Sequence, residues 1–254
     1  MDAIVLAKEA ALVARNSDAG SRPPLARVAA VLWGTATPGS RRGPKPKFTV
    51  EQIADAGIAI ADRDGLDAVT MQCVADGLGA AKMALYRYVP GRTELEAVML
   101  DRALGGPDAS GGDGWPAALL RWATQLHERA SARPWAVELV QRPHLPGPNE
   151  LAWFEAGLFA MRELPLAGGE KLDTLAMLVG HVMSIVRQQA AGPAPEDELA
   201  AALGPVLADR AGQFPLTTAA FTQQNRPERN DALRFGLVRM IAGIEALAAA
   251  RSRP

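Results

Sequence analysis

A chain of 254 residues, 48% apolar and 22% charged, is long enough for a small folded domain joined to a medium-sized one. A net charge of −1 excludes a broadly basic nucleic-acid binder, so any DNA-contacting surface must be a local patch. The single cysteine, Cys73, excludes an intramolecular disulfide framework and a cysteine-based zinc finger, and fits a reducing compartment.

Residues 1–40 hold an amphipathic helical pattern from Asp2 to Arg15, a Ser/Gly/Pro linker and a short apolar run from Leu25 to Trp33. Asp2 stands where a secretory leader would be basic, and the run Ala3 to Ala7 is too short for a leader's apolar core. No apolar stretch approaches the roughly 20 residues of a membrane span. The expectation is a soluble cytoplasmic protein with no membrane partner, and the role of residues 1–40 is open. Residues 41–48 read RRGPKPKF, and the two prolines favour an extended segment over a helix. That segment is either a solvated linker or an arm that brings Arg41, Arg42, Lys45 and Lys47 to the minor groove of DNA.

Thr49 followed by Gln52 is a capping-box start, and Ile53, Ala56, Ile60 and Ala61 then share a helical face. Gly65 ends that helix, and Thr70 is placed to cap the next. In MQCVADGLGAAKMALYRYV, residues Val74, Ala75 and Leu78 form an apolar face, and Leu85 resumes it. Two helices crossing after a very short turn need a small residue at the crossing, here Ala75. They also need one able to take positive φ in the turn, here Gly79. Pro90-Gly91 predicts an end to the second helix after about two and a half turns. Its outer side offers Lys82, Met83, Tyr86, Arg87 and Tyr88, groups able to reach base edges and phosphates. Acidic Glu51, Asp55, Asp62 and Asp64 are segregated from this cationic side. A helix-turn-helix satisfies all of these features, and a plain helical hairpin is the competing reading.

The run from Thr49 to Asp101 resembles the N-terminal domain of the TetR/AcrR family of regulators, through LG before the reader, LYRYV within it and GRTEL after it. The resemblance implies a three-helix DNA-binding unit followed by a connecting helix, here about Arg92 to Leu104. By that likeness Thr70 and Gln72 touch phosphates, and Ala81, Lys82, Met83 and Arg87 face bases. Tyr86 and Tyr88 meet the backbone or base methyls, and Arg92 holds a phosphate. Gly77 departs from good helix formers at a cost of about 1 kcal/mol against alanine, and every side chain expected to touch DNA is still present.

PDASGGDG, residues 107–114, reads as a linker, so the predicted parts are 1–40, 41–104, 105–114 and 115–254. Beyond it, helical patterns run near Trp115 to Ala130, Pro134 to Gln141, Asn149 to Glu163 and Pro195 to Ala211. Alternating strand-like runs are missing, so the fold class is all-α: a three-helix helix-turn-helix domain plus a helical-bundle domain. LAMLVGHVMSIV, residues 175–186, is apolar on nearly every side and predicts burial by its own domain on one side and by something else on the other. A last helix, about Glu228 to Ala249, carries Leu233, Leu237, Met240, Ile244 and Leu247 at three-four spacing. Its ending ALRFGLVRMIAGIEAL resembles the last helix of TetR-type C-terminal domains. Paired across two subunits, the two helices predict a four-helix homodimer interface through Val179, Val182, Leu237, Met240 and Ile244.

The family likeness places an effector pocket among the intervening helices, with Trp122, His127, Trp153, Phe154, Met177, His181 and Ser184 as candidates. Aromatics and methionines at helical spacing are equally the makings of a plain core. His127 and His181 have no metal-ligand spacing, so no metal or cofactor is expected. No GxSxG, HExxH, P-loop or dinucleotide fingerprint occurs, which argues against an enzyme. The expected function is a DNA-binding regulator, a repressor released from operator DNA by a small-molecule effector. A DNA-binding regulator without an effector is the alternative.

Overall fold

The structure is a computed structural model, and it describes residues 24–34, 47–108, 114–190, 192, 195–222 and 232–252. Among these every regular element is helical. The pattern from Asp2 to Arg15, and Arg41, Arg42 and Lys45 of the basic segment, lie outside the described residues.

Helix α1, Pro24–Leu32, lays Val28 against the fold, and Arg27 reaches Glu94 at 3.4 Å. Helix α2, Val50–Asp64, starts where the capping box predicts. Thr49 Oγ1 accepts from the Gln52 N–H at 3.2 Å, and Gln52 Oε1 accepts from the Thr49 N–H at 2.9 Å. Its buried side is Ile53, Ala54, Gly57, Ile58, Ile60 and Ala61, and Ala56 is only half-buried. Gly65, at φ 85°, stops it, and a 3-10 turn, Leu66–Ala68, leads to α3, Met71–Gly77, capped by Thr70 Oγ1 on the Cys73 N–H at 3.1 Å. Gly79 takes φ 59° in the turn, a left-handed conformation that favours glycine, and the Ala80 N–H closes on the Ala75 carbonyl at 2.9 Å.

Helix α4, Lys82–Leu85, is shorter than the two and a half turns its sequence predicts. After one regular turn the Tyr88 and Val89 N–H groups both return to the Leu85 carbonyl, each at 2.9 Å. Pro90 disfavours helical φ/ψ at Val89, so the segment tightens into a turn instead of adding helix. Leu85 and Val89 are nevertheless fully buried, so the wedge between α3 and α4 is closed as expected.

Helix α5, Arg92–Leu104, is the connector. It buries residues on opposite sides because α1 and α2 pack on it from one direction and α7, Pro134–Val140, and α8, Pro148–Ala160, from the other. Arg102 grips Asp55 with two N–H donors at 2.8 Å and ties α5 to α2, and across the domains Trp135 Nε1–H donates to Asp62 at 2.7 Å.

The rest of the bundle is built on α6, Trp115–Ala132, α9, Gly168–Ala190, and α12, Ala232–Arg251, which pack on one another. Helices α10, Pro195–Asp209, and α11, Pro215–Thr222, pack on each other. Helix α11 has no counterpart among the elements that the sequence predicts.

Two of the predicted interface residues belong elsewhere. Val182 and Leu237 are buried in the protomer's own core, where α12 packs on α6 and α9, whereas Ile244, though buried, lines the groove between α9 and α12. The join of α9 and α12 also explains His181: its Nε2 lies 3.1 Å from the Leu233 carbonyl, and a Cβ at Gly236 would stand 2.2 Å from that nitrogen. Gly236→Ala should therefore destabilise the protein by about 1–3 kcal/mol through overpacking. His181→Ala should relieve most of that cost, read as non-additivity in urea denaturation of the single and double variants. Additive effects would mean the two positions carry no strain between them.

Candidate DNA-binding surface and ligand cavity

The predicted reader residues come together on one outer surface. Ala81, Lys82, Met83 and Arg87 are exposed along α4 and the turn after it, and Thr70 and Gln72 are exposed at the start of α3. Met83 is 73% exposed, an apolar side chain that the described residues leave uncovered. Lys82 Nζ stands 6.0 Å from the Tyr86 ring centroid. Tyr86 and Tyr88 are half-buried and pack against the core, so each ring is structural as well as available at its edge. Thr70 Oγ1 uses a lone pair as a cap, and its O–H has no acceptor among the described residues. Gln72 Nε2–H donates to Asp76 at 2.8 Å, and Arg92 is tied to Glu96 at 2.7 Å and to the Leu66 carbonyl at 3.4 Å. Arg92 thus fastens α5 to the 3-10 turn with two of its five N–H donors, and the others have no partner among the described residues. Lys47 is exposed, 5.3 Å from the Phe48 ring centroid.

The charge segregation seen in sequence has a structural reason. Asp55 and Asp62 of α2 are occupied by Arg102, Arg133 and Trp135 at the inner junction, away from Lys82 and Arg87, and Asp76 is the acidic neighbour of the outer surface, held by Gln72.

On the other side of α5 a cavity of about 400 Å³ opens among α5 to α9. Trp122, Trp153 and Phe154 of the predicted set line it, together with Leu104, Leu126, Val140, Gln141, Glu150, Ala176, Val179, Gly180, Met183 and Arg187. The other four predicted residues do not. His127 Nε2 is engaged by Gln189 at 2.9 Å and Ser131 at 3.3 Å, and His181 pins α12. Met177 faces a shallow groove on the opposite side of α9, and Ser184 is half-buried outside the lining. Val179, expected at a dimer interface, is a cavity wall. The second apolar side of α9 therefore faces this cavity, in a stripe of Ala176, Val179, Gly180 and Met183 that ends at Arg187. That stripe has ordinary helical spacing, but it runs beside an equally apolar core stripe of Leu175, Leu178, Val182 and Val186, so sequence alone does not tell them apart.

The cavity is wired to the connector. The two indoles meet edge to face, centroids 5.9 Å apart; Trp122 Nε1–H donates to the Trp153 carbonyl and Trp153 Nε1–H to the Gly105 carbonyl, both at 2.8 Å. Gly105 is the residue that ends α5, and Leu104 before it is part of the wall. One turn back, Asp101 caps the start of α8, accepting from the Asn149 N–H at 2.9 Å and the Glu150 N–H at 3.1 Å. Burial there raises the Asp101 carboxyl above its ordinary range against the pull of these hydrogen bonds.

Glu150 is held by His144, whose Nε2 lies 3.0 Å from Oε2 while its Nδ1–H donates to the Arg142 carbonyl at 2.8 Å. Burial disfavours the imidazolium, but the hydrogen bond and charge of Glu150, helped by that carbonyl, outweigh it and raise His144 above its ordinary value. A raised histidine stabilises the fold fully below its unfolded value of 6.5, and the contribution is lost as pH rises through the raised value. Wild type should then lose urea resistance relative to His144→Gln across that window. Parallel curves for the two proteins would refute the pairing.

A helix-turn-helix with a cationic outer face, joined by one buried helix to a bundle that holds an aromatic cavity, defines the class of DNA-binding transcriptional regulators. Residues 107–248 match the family described as tetracyclin repressor-like, C-terminal domain. The HTH-type transcriptional repressor DrrR1 of Streptomyces coeruleorubidus is 33% identical over 239 residues, covering 89% of this chain and 88% of that protein. The chain belongs to the TetR family of transcriptional regulators. Among solved structures, apo ActR of Streptomyces coelicolor aligns with TM-score 0.70 at 22% identity, over 83% of this chain and 100% of that one. ActR in complex with actinorhodin gives TM-score 0.70 at 22% identity, over 79% and 96%. At that identity the likeness concerns the fold. No described helix is long and apolar enough to cross a membrane.

Proposed function

We propose that the chain is a homodimeric repressor that leaves operator DNA when a small molecule occupies the cavity. One observation carries this reading: Leu104 and the Gly105 carbonyl, the end of the helix that carries the reader, form part of the cavity's wall and hydrogen bonding. An occupant that moves Trp153 thereby moves α5, and with it the spacing of two readers. The complex of ActR with actinorhodin, and the repressor named among the relatives, support it. Residues 41–104 serve as the DNA-binding unit with its basic arm and connector, and 115–254 as the sensing and dimerising unit. No enzymatic step, metal or cofactor is part of this reading.

The dimer forms through the side of α9 and α12 that the protomer leaves open, where Met177, Met240, Gly243 and Leu247 line a groove between the two helices. Of the interface residues expected from sequence, Met240 and Ile244 line this groove. The reading is tested by a thermal-shift screen of metabolites followed by gel shift on the operator. Hits that stabilise the protein and release DNA are expected. A screen in which stabilising compounds leave the operator complex intact would overturn effector control.

Arg41, Arg42, Lys45 and Lys47 neutralise phosphates beside the reader. Replacing all four by alanine should lower the slope of log K against log salt by about 0.9 for each phosphate no longer neutralised. Substitution is a cleaner test than truncation, which would strip α1 from α5. An unchanged slope would reduce the segment to a linker.

A further inference from the structure

The polar groups of the cavity divide into those already used and those left over. Both indole N–H groups donate to backbone carbonyls, and the Glu150 carboxylate is engaged by His144. Two side chains in the lining remain, Gln141 and Arg187, and neither has a hydrogen-bond or ion-pair partner among the described residues. Arg187 closes the apolar stripe of α9, one turn beyond Met183, so its guanidinium sits at the edge of a surface otherwise made of rings and methyl groups. A guanidinium offers five donors, no acceptor and a permanent positive charge. The unused polarity of the cavity is therefore rich in donors and cationic, while its walls are aromatic.

From this complementarity we infer that the cavity binds an aromatic acid, with its rings against Trp122, Trp153 and Phe154 and its carboxylate or ionised phenol on Arg187. The inference rests on the cavity being the effector site, and it adds the chemical class of effector. Size agrees. A single ring fills an engineered cavity of roughly 150 Å³, so 400 Å³ suits two or three fused rings. A cationic aromatic would meet Arg187 as a like charge, and a neutral one would leave the guanidinium without its partner.

Three probes with the same rings and different charge test this on the full chain: 1-naphthoate, 1-naphthalenemethanol and 1-naphthylmethylammonium. Binding is read by tryptophan fluorescence and by the shift in melting temperature. Naphthoate should bind at least tenfold more tightly than the ammonium compound. Arg187→Gln should weaken naphthoate about tenfold, the scale of a charge-assisted hydrogen bond, and leave the alcohol unchanged. Arg187→Glu should invert the order of the two ions. Equal binding of all three, or naphthoate binding indifferent to Arg187→Gln, would overturn the acid class while leaving the effector cavity in place. If none of the three binds, the effector reading falls and takes the acid class with it.

Discussion

Lys82→Ala should weaken operator binding about ten- to a hundredfold, the scale of one good hydrogen-bonded base pairing, with no change in melting temperature. Lys82 is exposed at the first position of α4, and its ammonium has no carboxylate partner among the described residues. Its removal costs the fold only the exposed contact with the Tyr86 ring. Lys82→Ala combined with Arg87→Ala should abolish specific binding at physiological salt, since both cations of the reader are then gone. Tyr86 needs a gentler change. Its ring packs against the core, so Tyr86→Ala would confuse the ring's packing with its reach to DNA, and Tyr86→Phe isolates the hydroxyl. Footprinting upstream of the protein's own gene supplies the operator, and gel-shift titration beside thermal melts supplies the numbers. Wild-type affinity in Lys82→Ala would move the reader away from α4.

The helix-turn-helix is legible in the sequence because its signals are local. Thr49 and Gln52 cap one helix from three residues apart, Thr70 caps the next, and Gly65 and Gly79 mark the two turn positions with positive φ. The sequence overstates the length of α4 because the same Pro90 that marks its end also reaches back to Val89 and tightens the segment before it. The cavity is half legible. Trp122, Trp153 and Phe154 announce themselves by type, whereas Val179 and Arg187 line it only because α9 turns a particular side toward the cavity, and Glu150 because α8 does the same. His181 shows the limit most clearly. A histidine on an apolar helix invites a ligand, but its partner is the carbonyl of Leu233, and the opening that admits it is Gly236. Helix α11 escapes a reading by pattern because its eight residues include three threonines and present no buried face of their own.

Single charges on the two sides of the last helices should separate dimerisation from folding. Leu247→Glu combined with Met177→Glu places carboxylates on the open groove between α9 and α12, where each side chain is 43% exposed in the protomer. The folded protomer tolerates them, because both point into solvent. A two-fold interface meets each of them twice, once from either subunit, and burying unpaired carboxylates costs several kcal/mol. This variant should be a folded monomer in light scattering, with a melting transition intact, and it should lose operator binding. One reader covers too few base pairs to be specific, and two need a fixed spacing of about 34 Å, one helical turn of DNA, or a multiple of it. Leu237→Glu is the contrasting variant. That side chain is fully buried against the protomer's own core, so its charge should unfold the chain instead of releasing a stable monomer. A Met177→Glu, Leu247→Glu protein that stays dimeric would place the interface elsewhere. One that becomes monomeric and still binds operator at wild-type affinity would refute the need for paired readers.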